Sequence, residues 1–257
     1  MSMEMMRMKR IMACVMVWAL FGQVGNLAPQ TMKPAKPAGG SPKTAYYFDP
    51  GMLNLTVLVP APPAVDSTAN KAELAELHRL EQTRTPEQAA AAKRDEDEED
   101  MFAFRTVLGA GFTPEALPVT AALGAHVKNE QSVAGSALKT EFKRPRPYQT
   151  DKTLHPVCAL TEAANSYPSG HALTGYLEAF TLAEIVPEKR AEILARADDY
   201  AHNRLVCGVH YPSDIEESRR VALLVFGYMM ATPRFEQDLA AAKAETRAKL
   251  GLVGSGD

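Results

Sequence analysis

The chain of 257 residues is short of several things that define protein classes. It has three cysteines, too few for a disulfide scaffold to replace a hydrophobic core. Basic residues are not in excess: 28 Lys and Arg stand against 31 Asp and Glu, for a net charge of −3, so the basic surface that nucleic acid requires is missing. After residue 22 no apolar run approaches the roughly 20 residues of a membrane span, and 221–231 reaches only about half that length, which excludes stable membrane insertion. No internal repeat is visible, and the strict apolar–polar alternation of half-buried strands is almost absent. What is present, 46% hydrophobic and 23% charged residues, suits a globular domain with a real core.

The N-terminus departs from the rest. Arg7, Lys9 and Arg10 precede a short apolar run over 11–22, the arrangement of a secretory signal, and we assign 1–25 to it. Residues 26–45 are rich in Pro, Ala, Lys and Gly and read as a flexible leader, leaving 46–257 as the folded domain. Cys14 falls within the signal. Cys158 and Cys207 remain in the exported chain, as either a disulfide or two free thiols.

Within the domain the signals are helical. The stretch 46–63 is apolar and broken by proline, suited to an extended segment across a surface. A helix is expected over 66–83, with Leu74, Leu77 and Leu80 in step. Thr85-Pro86-Glu87-Gln88 is a capping box with proline at the first helical position. Its helix runs into Asp95–Asp100 (DEDEED), a like-charge run that reads as a solvated face or loop. Another helical region opens at Thr113-Pro114, and Leu123, Val127, Val133, Ala137 and Leu138 make one stripe over 118–142. Further helices are expected from Gly170 to Val186, over 188–202, from a capping box at Ser213 to Met230, and from Pro233 to Gly251. The fold class is therefore all-α, a single helical-bundle domain.

Three clusters carry chemistry. KTEFKRPRP (139–147) crowds four cations at a helix end. Pro168-Ser169-Gly170-His171 puts a hydroxyl, free backbone N–H groups and an imidazole at a helix start, where an anion is favoured. Asn203 to Asp214 (NRLVCGVHYPSD) holds Arg204, His210 and Asp214. Either histidine taken alone is more often structural than catalytic. Together, cations and helix-terminal donors can hold a tetrahedral oxyanion, two histidines can supply a nucleophile and an acid, and a carboxylate can fix one imidazole.

In order and spacing these clusters resemble the three-part signature of the phosphatidic acid phosphatase type 2 superfamily: Lys139-x6-Arg146-Pro147, Pro168-Ser169-Gly170-His171, and Asn203-Arg204-x5-His210-x3-Asp214. With the signal segment and CGVHYPSD, the chain is similar to the bacterial class A non-specific acid phosphatases. The resemblance implies a helical fold of the acid phosphatase/vanadium haloperoxidase type and a periplasmic or secreted phosphomonoesterase needing no cofactor or metal. His210 would attack phosphorus, Asp214 would orient it, and His171 would protonate the leaving alcohol. Lys139, Arg146, Ser169, Gly170 and Arg204 would hold the phosphoryl oxygens. It also implies a homo-oligomer, and phosphate transfer to other alcohols as a side activity. One departure is Asn203, where the family carries serine; another is the doubled Arg-Pro, whose spacing selects Arg146 and leaves Lys143 and Arg144 as rim charges. A vanadium-dependent haloperoxidase and a non-catalytic oxyanion-binding protein share the same anion site and stand as alternatives.

Overall fold

The computed structural model describes residues 44–252. The signal segment 1–25 and nearly all of the leader 26–45 lie outside them. Among the described residues there are ten α-helices and no strand: α1 Leu55–Leu58, α2 Thr68–Thr83, α3 Pro86–Asp97, α4 Arg105–Leu108, α5 Pro118–Phe142, α6 Pro147–Thr150, α7 Gly170–Ile185, α8 Arg190–Val206, α9 Pro212–Met230 and α10 Pro233–Lys249. None is long and apolar enough to cross a membrane.

Local chemistry explains most helix starts. The Ser67 hydroxyl accepts from the Asn70 N–H at 3.1 Å to cap α2. Thr85 and Gln88 cap α3 reciprocally, at 3.3 and 2.8 Å, with Pro86 at the first helical position. At its far end α5 stops at Lys143, which turns into the left-handed region at φ 45° before Pro145.

Two boundaries differ from expectation. The cap of α9 is Tyr211, not Ser213: Pro212 takes the first helical position and the Asp214 carboxylate reaches back to the Tyr211 N–H at 2.8 Å. The turn Pro187–Lys189 is 3₁₀, so α8 begins later than expected and runs on to Val206, since no breaker intervenes before Gly208 at φ 75°. Asn203 and Arg204 therefore ride on the last turn of α8 rather than on a loop.

The bundle is built around α7. Its sequence is apolar nearly all round, and it is buried on most of its circumference, from Ala172 to Ile185. It packs against α5, α8, α9 and α10. Gly175 permits the approach of α8, because a Cβ there would lie 2.7 Å from Cδ1 of the Tyr200 ring. The stretch 46–63 is not a surface strap: Tyr47, Phe48, Leu53, Leu55 and Val59 enter the main core. The Tyr47 hydroxyl donates to Asp238 on α10 at 2.7 Å, which ties the start of the domain to its end.

Candidate active site

The three clusters converge at one end of α7. Ser169 is the N-cap of α7, its hydroxyl accepting from the Ala172 N–H at 3.4 Å, and Gly170 is the first helical residue. His171 follows in the first turn. The last turns of α5 and α8 bring Lys139 and Arg204, and Arg146 caps the short α6. His210 lies between α8 and α9, and Asp214 is in the first turn of α9. A backbone bond from the Ser169 N–H to the Asp214 carbonyl, 3.3 Å, locks the starts of α7 and α9 together.

The contacts of His210 define its tautomer. Arg146 Nη1 lies 2.8 Å from His210 Nε2, and a guanidinium can only donate, so Nε2 presents a lone pair. Nδ1 then carries the hydrogen and donates to Asp214 Oδ2 at 3.2 Å. Burial, with the charges of Arg146, Lys139 and Arg204, pushes the His210 pKa well below the ordinary imidazole range. Burial and the Arg146 contact both favour the neutral ring, with the Nε2 pair accepting from Arg146.

Asp214 is enclosed by donors. Oδ1 accepts from Arg144 Nη1 at 2.7 Å, while Oδ2 accepts from the Ser166 hydroxyl at 2.5 Å, from the Tyr211 N–H at 2.8 Å and from His210. Burial raises its pKa, and Arg144 with these donors works against that rise. Only the carboxylate can accept all four bonds.

Lys139 and Arg146 are held by neutral acceptors. Lys139 Nζ donates to the Asn165 carbonyl at 2.5 Å, and burial, then the charge of Arg146, brings its pKa down to about 7. Arg146 donates to Asn165 Oδ1 at 2.9 Å and to the Val209 carbonyl at 2.9 Å, and burial lowers its pKa to about 10. Arg204 is buried, contacts Cys207 Sγ at 3.6 Å and Glu96 at 3.5 Å, and its Nε has no partner. An orphaned buried donor among other cations fits an incoming oxyanion. Among the described residues no group of three His, Cys, Asp or Glu side chains is gathered as a metal site.

Cys158 and Cys207 are joined as a disulfide, which pins the loop before Ser166 to the end of α8 beside Arg204 and His210. Asn203 gives its amide to Asp95 at 2.7 Å.

Two expectations need correction. Arg144 is not a rim charge: it is buried, bonded to Asp214, Glu73, Asn70 and Ser213, and stacked 3.8 Å over the Tyr211 ring. The doubled Arg-Pro was the sequence signal, with Arg146 set against His210 and Arg144 behind Asp214. The acidic run 95–100 is solvated only in part: Asp97 and Asp100 are exposed and 98–100 form a loop, but Asp95 and Glu99 are engaged. Asp95 is buried against Arg196 at 2.6 Å, and Glu99 lies 2.8 Å from His171. No local signal marks that role, since every partner is remote in sequence. Lys143, by contrast, is exposed.

A fold of packed helices that gathers buried cations, two histidines and an aspartate has known counterparts. The PAP2 superfamily matches residues 117–238, just under half of the chain and a stretch that holds Lys139, Arg146, Ser169, Gly170, Arg204, Asp214 and both histidines. Among the chain's relatives is a non-specific acid phosphatase of Salmonella typhimurium, 31% identical over 161 residues, 60% of this chain and 63% of that protein. Another, from Providencia stuartii, is 27% identical over 213 residues, 79% of this chain and 85% of that protein. The match thus spans just under two thirds of the first relative and most of the second. A solved PAP2-type phosphatidylglycerolphosphate phosphatase from Bacillus subtilis is 18% identical with a TM-score of 0.47, covering 65% of this chain and 87% of that one.

Proposed function

We propose that the protein is a periplasmic or secreted acid phosphatase, hydrolysing phosphomonoesters through a phosphohistidine without a metal. The observation that carries this reading is the state of His210, neutral, with its hydrogen on the Asp214 side and its Nε2 pair toward Arg146. A phosphoryl oxygen arriving at Arg146 takes over that donor and frees the pair. Nε2 then forms the bond to phosphorus while the ester P–O bond breaks. His171 gives the departing oxygen a proton. In the second half, His171 takes a proton from water, the water oxygen attacks the phosphohistidine, and inorganic phosphate leaves with His210 restored. Another alcohol in place of water gives phosphate transfer. Charge on the transferring group is met by Arg146, Arg204, Lys139 and the donors at the start of α7.

Working in acid suits these groups. Lys139, at about 7, carries its charge in acid, and burial with the neighbouring cations favours the neutral form of His210. The disulfide and the N-terminal segment both fit an oxidising compartment. The test is phosphate release from p-nitrophenyl phosphate in EDTA. Wild type should be active, more so at pH 5 than at pH 8, and His210→Ala inactive. Activity that needs a metal, or survives in the variant, would sink the proposal. A wild type that binds phosphate without turnover would favour an oxyanion-binding protein, and halide oxidation with vanadate and peroxide would favour a haloperoxidase.

A further inference from the structure

His210 has its carboxylate four residues along the chain. His171 has one as well, brought from the acidic run. His171 Nε2 lies 2.8 Å from Glu99 Oε1 and 3.2 Å from the Glu96 carbonyl oxygen. Both oxygens accept, so Nε2 keeps its hydrogen whether the ring is neutral or charged, and Nδ1 is the nitrogen where a proton comes and goes.

The carboxylate is itself fixed. Lys128 on α5 stands 3.4 Å from Glu99. The segment carrying it is tied on both sides. Asp95 takes two bonds from Arg196, at 3.0 and 2.6 Å, and a third from Asn203. Asp100 accepts from the Phe102 N–H at 2.9 Å and so caps the 3₁₀ turn Met101–Phe104. Burial works to raise the Glu99 pKa, but His171 and Lys128 bring it down to about 2, so it is ionised across the acidic range. Burial and the charge of Arg204 lower that of His171, and Glu99 opposes them. Glu178 of α7 and Tyr200 of α8, both buried and pushed well up, are further titratable groups that feel the charge of Glu99.

We propose that Glu99 is a positioning residue for the leaving-group acid: it holds the Nε2–H of His171, reserves Nδ1 for proton transfer, and stabilises the imidazolium from which the departing alcohol takes its proton. The site then contains two imidazole–carboxylate pairs of opposite polarity. Asp214 leaves Nε2 of one histidine free to attack phosphorus, and Glu99 leaves Nδ1 of the other to protonate oxygen as the P–O bond breaks. The inference rests on the phosphatase reading.

The test compares Glu99→Gln with wild type on two substrates by kcat/KM, which reports the phosphorylation half alone. Ethyl phosphate must have its leaving oxygen protonated, whereas p-nitrophenolate departs without that help. The expected loss is about 10- to 100-fold on ethyl phosphate, within the range of general-acid contributions, and about threefold or less on p-nitrophenyl phosphate. The alkaline limb of kcat/KM for ethyl phosphate should shift to lower pH, and Glu99→Asp should recover part of the rate. Equal losses on both substrates, or none on ethyl phosphate, would overturn the assignment. A wild type inactive on both, or a fully active His210→Ala, would instead overturn the phosphatase reading and take this inference with it.

Discussion

Arg144→Ala probes how firmly the site is held from behind. Arg144 Nη1 is 2.7 Å from Asp214, and Nη2 is 2.7 Å from Glu73. The Asp214 side chain is fully buried, whereas that of Glu73 keeps 12% of its surface and so some access to water. Asp214 therefore sets the magnitude. Removing one partner of a buried ion pair costs about 3–5 kcal/mol, because the other charge is left without compensation. For a domain of this size that lowers the melting midpoint by roughly 6–20 °C, at about 2–4 °C per kcal/mol. The pH dependence carries a sign. With Arg144 gone, burial raises the folded-state pKa of Asp214 further. A raised carboxyl contributes stability that is present below its unfolded pKa and lost as pH rises through its folded value. The variant should therefore be hurt more at pH 7 than at pH 4. Urea unfolding of both proteins at the two pH values measures this, and Arg144→Lys should fall between them, since it keeps the charge without the fork. A loss below about 1 kcal/mol, equal at both pH values, would mean an exposed-type pair of little consequence and refute the argument.

Three further outcomes follow from the packing. Glu178→Gln should raise the melting midpoint at pH 7.5 and leave it nearly unchanged at pH 4.5. Glu178 is buried with Oε1 unpartnered, burial pushes its pKa well up, and folding at neutral pH therefore carries the cost of protonating or burying it. An unchanged midpoint at both pH values would contradict this. Replacing both cysteines by serine should cost on the order of 4 kcal/mol in urea unfolding, from the loop of 49 residues that the bond closes; a loss under about 1 kcal/mol would show that the bond constrains nothing. Gly175→Ala should destabilise by about 1–3 kcal/mol, because its Cβ meets the Tyr200 ring and both helices are fixed by their neighbours. A neutral result in thermal melting would mean that α8 can yield there.

How much of this was legible depended on the range of the interaction. The start of α3 could be read because Thr85, Pro86 and Gln88 act within four residues. That the three clusters meet could be read because the motif spacings mark them, although not the depth of their side chains or the tautomers. The start of α8 differs because Pro187–Lys189 forms a 3₁₀ turn, and that of α9 because competing caps lie side by side: Ser213 is a good cap by composition, yet Pro212 can occupy the first helical turn and Asp214 bonds back to Tyr211. What stayed hidden was every feature whose partner is far along the chain. Glu73 lies 71 residues from Arg144, and Arg196 lies 101 residues from Asp95. A run such as 95–100 looks solvated until opposite charges from other helices are set against it. The departure at Asn203 has the same origin, since its amide completes the hold on Asp95.

The central claim is that His210 is the nucleophile, and trapping the intermediate tests it most directly. Wild-type enzyme mixed with a phosphomonoester and quenched in base within milliseconds should carry one phosphoryl group, stable in alkali and labile in acid, on the peptide containing His210. His210→Ala should carry none. A wild type that turns over without any phosphoenzyme, or one labelled at another residue, would contradict the account.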